Sequence, residues 1–274
     1  MRPWLHLARI SNLPTVWTNV TAAWLLAGGA LADARLCWLI LAGSLLYTGG
    51  MILNDAADVK FDRAHRKERP IPSGQVSLGA VWGVGVAMLV VGFGIAIFAG
   101  ANVWITLGLV AAILFYDLYH KPWPGSVVVM GACRMLLYLM AASVLAKTVL
   151  PAAIALGCYV VGLSLAARSG GRGPALWLLW APVLSLLTGP IGRWSWDSAL
   201  PIAILIVPAV FALLAVSAMI RLRSSRIDAA VGLLLAGIPV VDAMAVLTTQ
   251  PVLALGFVAL APLLRLWQRW VAAT

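Results

Sequence analysis

Apolar residues neither alternate along this chain nor recur on one helical stripe. They run in unbroken blocks separated by short polar segments. A helix that crosses a bilayer uses about 20 residues at about 1.5 Å rise each, and most of these blocks approach that length. They run from Leu13 to Leu31, Leu36 to Leu53, Leu78 to Gly100, Val103 to Tyr119, Ser126 to Ala146, Leu150 to Ala167, Ala175 to Ile191, Ala199 to Ile220, Ala229 to Leu247 and Val252 to Leu264. The last is short and interrupted by Pro262. The pattern predicts an all-α, polytopic transmembrane helical bundle of about nine spans, ten if the last block crosses, in a single domain over residues 1–274.

Composition agrees: 63% of residues are hydrophobic, 10% are charged and mean hydropathy is +1.00, which no water-soluble surface allows. A net charge of +10 could suggest nucleic acid, but the basic residues fall in the breaks between apolar blocks. Lipid head groups explain them, and no nucleic-acid partner is expected. With the N-terminus inside, Arg2, Arg9, Lys60, Arg63, Arg66, Lys67, Arg69, Lys121, Arg168, Arg172, Arg221, Arg223, Arg226, Arg265 and Arg269 all fall on the inner side. Only Arg35, Lys147 and Arg193 fall outside, and Arg134 is left within a span. This predicts a multi-pass protein of the cell (inner) membrane, with N-terminus and active-site loops cytoplasmic. The first apolar block lacks a small-residue cleavage pattern and is expected to stay in the mature chain. Cys37, Cys133 and Cys158 have no metal or disulfide spacing and read as packing residues. Gly79, Gly83, Gly94 and Gly131 read as points of close helix approach.

The acidic residues locate the chemistry. The chain has nine, and four of them lie between positions 55 and 68. In Asn54-Asp55-Ala56-Ala57-Asp58-Val59-Lys60-Phe61-Asp62, helical spacing puts Asp55, Asp58 and Asp62 on one face with Asn54 alongside. Carboxylates stacked at a low-dielectric boundary repel one another and call for a cation. Hard oxygen donors beside an amide suit Mg²⁺, which keeps water and bridges to substrate phosphates. Asn54, Asp55, Asp58 and Asp62 are therefore the candidate metal ligands. The basic run Arg63, Arg66, Lys67 and Arg69 follows at once and could hold the remaining charge of a diphosphate. Arg134, inside a span, reads either as a group that binds a head group or as a side chain that snorkels and pairs with a polar atom of a neighbouring helix.

Asn54 to Asp62 matches the NDxxDxxxD pattern of the UbiA superfamily of intramembrane prenyltransferases, and Arg69-Pro70-Ile71-Pro72-Ser73-Gly74 matches the RPIPSG stretch that follows it. Arg9-Ile10-Ser11-Asn12-Leu13-Pro14-Thr15, with Asn19 beyond it, resembles the first-helix signature. Tyr116-Asp117-Leu118-Tyr119-His120-Lys121 resembles the end of the fourth helix. The resemblance implies a UbiA-like bundle, usually of nine helices, and a Mg²⁺-dependent enzyme that ionises an allylic isoprenyl diphosphate and passes the prenyl group to a small acceptor such as an aromatic ring. It implies catalytic roles for Asp55, Asp58, Asp62, Asp117 and Lys121, and diphosphate contacts from Asn19, Arg66, Arg69, Lys121, Arg134 and Arg168.

One departure stands out. The family's second acidic motif is missing, because no Asp or Glu lies between Asp117 and Asp197. The matching stretch, Tyr159 to Gly171, offers Arg168, with Arg172 just beyond, as a cation in place of a second metal ion. Two further readings stay open: a UbiA-type terpene cyclase, and a non-catalytic isoprenoid-binding, lipid-binding or transport-associated protein. Asp117 and Lys121, four residues apart, are expected to pair. His65 and His120 are expected to be solvated, Trp123 to form a pocket wall, and Asp242 to line a cavity or pair with a partner the sequence does not name.

Overall fold

The computed structural model of the chain describes residues 2–121, 123–147, 149–169, 174–183, 200–268 and 270. Their regular structure is helical, with no strand among them. The helices are α1 (Arg2–Leu7), α2 (Leu13–Leu26), α3 (Ala34–Ala57), α4 (Val59–His65), α5 (Leu78–Phe98), α6 (Val103–Tyr119), α7 (Ser126–Ser143), α8 (Leu150–Ser169), α9 (Leu200–Arg223), α10 (Ile227–Ala236), α11 (Ile238–Val246) and α12 (Pro251–Trp267). Among the described residues, six stretches are long and apolar enough to cross a membrane: α3, α5, α7, α8, α9, and α10 with α11 taken together. Helices α6 and α12 are apolar but shorter. The predicted span from Ala175 to Ile191 begins as a 3-10 turn, Pro174–Trp180, and then runs out of the described residues.

Local chemistry sets the helix ends. Asp33 caps α3 by accepting from the Arg35 amide, Ser77 caps α5 and Asn102 caps α6. Helix α2 stops five residues short of its predicted end because the chain turns through Gly28, whose φ of 92° suits glycine. Helix α3 runs past its predicted end, so Asn54 and Asp55 lie in its last turn.

Helix α3 packs on α5 and α2, α7 packs on α6, α8 and α2, and α11 packs on α2 and α12. Burial separates the centre from the lipid face. The best apolar window is 83% buried in α10–α11 but only 28% buried in α5 and in α9, so the first pair forms the axis and the others the rim. This axis breaks at Gly237, where Pro239 cannot donate a backbone hydrogen bond. The Tyr159 hydroxyl donates to the Leu234 carbonyl at 2.8 Å beside the break.

The expectation for glycines holds at Gly131 alone among the four. A Cβ there would sit 2.6 Å from the Gly157 carbonyl oxygen of α8. Gly79, Gly83 and Gly94 have open space around them, because they lie on the outward side of α5. The inward side of α5 carries Val81, Gly85, Leu89, Gly92 and Ala96, and there Gly85 and Gly92 meet α3. Gly131→Ala should therefore lower stability by about 1–3 kcal/mol through overpacking. Gly79→Ala should be neutral or stabilising by up to about 1 kcal/mol. Thermal unfolding of the two variants in detergent checks the contrast.

Candidate active site

The acidic segment lies where α3 leaves the bundle. Asp58 closes α3 and precedes α4. Asn54, Asp55, Asp58 and Asp62 are all buried, Asp62 to 1% exposure. Arg69 follows a turn in which its amide donates to the Arg66 carbonyl at 3.1 Å, and the Ser73 hydroxyl donates to the Arg69 carbonyl at 2.7 Å. Its Nη1 donates to Asp55 Oδ1 at 2.9 Å and to Asp62 Oδ2 at 3.2 Å. Arg9 Nη2 adds a longer contact to Asp55 at 3.6 Å. The three acids thus do not share one cation: Asp55 and Asp62 share Arg69, and Asp58 faces α6.

At the end of α6, Lys121 Nζ lies 2.8 Å from Asp58 Oδ1 and His120 Nε2 lies 3.5 Å from Asp58 Oδ2. Burial pushes the Asp58 pKa up, but the hydrogen bonds from His120 and Lys121 more than offset this and hold it below the ordinary carboxylate value. Lys121 also lies 3.7 Å over the Phe61 ring. The expected Asp117–Lys121 pair does not form. Lys121 reaches the more acidic neighbourhood of Asp58, and Asp117 Oδ1 accepts instead from Asn54 Nδ2 at 3.1 Å. His120 is likewise not simply solvated, whereas His65 is exposed and stacks on Phe61. Trp123 is 46% exposed, sits edge-on to Phe115, and lines neither cavity described below.

The remaining predicted residues separate into two groups. Arg168 Nη2 donates to the His120 carbonyl and the Ser126 hydroxyl, both at 2.8 Å, and Nη1 donates to the Pro124 carbonyl at 3.1 Å. It ties the end of α8 to the loop that carries Lys121; Arg172 lies outside the described residues. Arg66 is exposed beyond α4. Asn19 and Arg134 lie together in the middle of the bundle. Arg134 Nη1 donates to Asn19 Oδ1 at 2.8 Å, and Asn19 Nδ2 donates to Asp242 Oδ2 at 2.7 Å, which supplies the partner for Asp242 that the sequence left unnamed.

Two cavities meet along Tyr47, Met51, Tyr116, Met130 and Arg134. One, of about 210 Å³, is lined by Arg9, Arg134 and Arg168 among others. The second, of about 80 Å³, is walled by apolar side chains including Leu46, Leu109, Ile113 and Leu137, with Asp117 on its edge. Arg9, absent from the predicted set, joins the acid cluster to the larger cavity. Its signal was available, since it opens the Arg9 to Thr15 segment; the structure adds that it is a non-glycine residue held at φ 43°.

The donor set fits a hard cation. Asp62 Oδ1 and Asp117 Oδ2 are buried oxygens that no donor among the described residues satisfies. Among the described residues no three acidic, histidine or cysteine side chains converge closely enough to cage a metal by themselves. That suits Mg²⁺, whose shell is usually completed by water and substrate phosphate oxygens.

The sequence profile of the UbiA prenyltransferase family matches residues 14–168. The chain is 29% identical over 120 residues to a 4-hydroxybenzoate octaprenyltransferase of Pseudomonas aeruginosa, covering 43% of this chain and 40% of that protein. It is 30% identical over 142 residues to a digeranylgeranylglyceryl phosphate synthase of Metallosphaera sedula, covering half of each. The matched segments thus span half or less of these curated relatives. In structure, an apo UbiA homologue from Aeropyrum pernix K1 superposes with a TM-score of 0.68 at 17% identity, covering 86% of this chain and 96% of that one. A UbiA homologue from Archaeoglobus fulgidus bound to GPP and Mg²⁺ gives 0.51 at 14% identity, covering 99% and 100%. At those identities the structures establish a shared fold, and together with the profile match over more than half of its length they place this chain in the UbiA prenyltransferase family.

Proposed function

We propose that the chain is a Mg²⁺-dependent intramembrane prenyltransferase, a single domain in the cell membrane with its acid cluster facing the cytoplasm. It would ionise an allylic isoprenyl diphosphate and pass the prenyl group to a small acceptor. The observation that carries this reading is the set of three buried carboxylates, neutralised only by side chains from other elements, beside a cavity whose walls are mostly apolar. The names of the relatives support it: one is an octaprenyltransferase, and one solved neighbour holds GPP with Mg²⁺.

Asn54, Asp55, Asp58 and Asp62 would hold the metal, which when bound neutralises the diphosphate leaving group. Arg69, Lys121 and Arg9, now paired with those acids, are placed to exchange a carboxylate for a phosphate oxygen, with Arg168 and Arg66 nearer the rim. As the C–O bond breaks, its electron pair leaves with the diphosphate and the allylic carbon becomes cationic. The apolar walls and the Tyr47 and Tyr116 rings would shield that carbon from water. The acceptor attacks it and loses a proton. Asp117, at the edge of the apolar cavity with one oxygen unsatisfied, would orient the acceptor.

Purified protein in nanodiscs should release diphosphate from geranyl diphosphate only with Mg²⁺, and Asp58→Asn should slow this by roughly a hundredfold or more. Release that yields cyclised product without any acceptor would indicate a cyclase. Binding of the donor without release would indicate the lipid-handling reading, which the missing second acidic motif favours. Arg69→Ala should destabilise the protein by about 3 kcal/mol, because it leaves two buried carboxylates uncompensated. Arg69→Ala combined with Asp55→Asn should regain part of that loss, as a thermal double-mutant cycle would measure.

A further inference from the structure

The smaller, apolar cavity follows three helices at once. Its lining runs from Met51 back to Gly43 on α3, from Asp117 back to Leu109 on α6, and from Met130 on to Leu137 on α7. At about 1.5 Å of rise per residue, each stretch covers roughly 10–12 Å. One end lies at the acid cluster, because Asp117 accepts there from Asn54, the neighbour of Asp55. At the other end Leu46, Leu109 and Leu137 are all buried, to 5% exposure or less. Leu137 is seated directly on Gly43: a Cβ on that glycine would lie 3.2 Å from Leu137 Cδ1 and 3.2 Å from methyl groups of Val16 and Val20 on α2. The next layer along the three helices, Leu39, Ala42, Thr106 and Met140, is fully buried and lines neither cavity. Among the described residues the cavity is therefore closed at the end away from the acids.

A prenyl chain whose diphosphate lies on the acid cluster enters this cavity beside Asp117. An isoprene unit has four main-chain carbon–carbon bonds of about 1.5 Å and covers roughly 5 Å when extended. Two units use up the depth, and a third meets Leu109 and Leu137. The void of about 80 Å³ is also smaller than the roughly 150 Å³ that accommodates a benzene ring. Even a short chain must therefore move side chains aside. Met51 and Met130, at the entrance, are unbranched and adapt readily. The floor does not: Leu137 is packed between α2 and α3, and displacing it overpacks a filled interior.

We propose that Leu109 and Leu137, the latter braced by Gly43, cap the donor chain at about two isoprene units, so that the preferred donor is a short-chain allylic diphosphate. This rests on the prenyl-transfer reading above and names the donor class that the reading leaves open. Leu109 and Leu137 act as specificity-determining residues through the tail of the donor and take no part in ionisation.

Equilibrium binding to the full chain in nanodiscs tests this with non-ionisable thiodiphosphate analogues of dimethylallyl, geranyl, farnesyl and geranylgeranyl chains. Longer chains also partition into lipid, so each analogue is measured against empty nanodiscs of the same lipid content. The wild type should bind the geranyl analogue about tenfold or more tightly than the geranylgeranyl analogue. Leu137→Ala should raise the ratio of geranylgeranyl to geranyl affinity about fivefold or more, by deepening the cavity. Leu109→Phe should lower the ratio of geranyl to dimethylallyl affinity, by making it shallower. Ratios are read because a general loss of stability weakens all four analogues alike. Geranylgeranyl binding as tight as geranyl in the wild type overturns the proposal even if neither variant folds, and so does an unchanged ratio in a folded Leu137→Ala. Diphosphate release from geranyl diphosphate by the same wild-type sample is read separately. Release without any chain-length preference overturns the cap alone, whereas no release and no binding of any analogue removes the prenyl-transfer reading and the cap with it.

Discussion

Three carboxylates buried within two helical turns repel one another by about 3 kcal/mol per pair at roughly 6 Å and an effective dielectric constant near 20. Asp55, Asp58 and Asp62 can occupy the end of α3 and the start of α4 only because cations from elsewhere in the chain come to them. Arg69 arrives on a turn that doubles back, Lys121 and His120 arrive from the end of α6, and Arg9 arrives from the segment before α2. Much of the surrounding architecture meets that demand. The turn from Arg66 to Arg69 returns Arg69, and Arg168 fastens the His120 to Ser126 loop from α8, which fixes where Lys121 stands.

The stretch where the family carries its second acidic motif contributes a strut in this chain. Arg168 donates to two carbonyls and a hydroxyl, and it borders the cavity that Arg9 also reaches. On the prenyl-transfer reading, the arginines here would supply positive charge in place of a second metal ion. Arg134 with Asn19 and Asp242 forms a second, buried locus of charge. The cavities between the two loci are walled largely by aliphatic and aromatic side chains.

Much of this was legible in the sequence, because apolar block length and acid spacing are local properties. Nine of the ten apolar blocks contain a described helix, and Asn54 to Asp62 stood out since acids are so scarce in the chain. Partner choice was not legible. Asp117 and Lys121 have the spacing of a helical pair, yet the chain leaves α6 at Tyr119, and the lysine swings to a buried acid on α4's border while Asn54 takes Asp117. The partner of Asp242 lies 223 residues away in Asn19, and no periodicity reports contacts at that separation. The glycines failed for a related reason: Gly79, Gly83 and Gly94 have the right composition for packing, but which side of α5 meets α3 is decided by the bundle.

The central claim is that the acid cluster is held by protein cations that give way to metal and diphosphate together. The direct test is Mn²⁺ binding, followed by electron paramagnetic resonance, with and without a non-ionisable geranyl diphosphate analogue. Weak metal binding alone, tightened about tenfold or more by the analogue, is the predicted result. Tight metal binding that is indifferent to the analogue would contradict it, because the carboxylates would then already form a complete metal site without displacing Arg69 or Lys121.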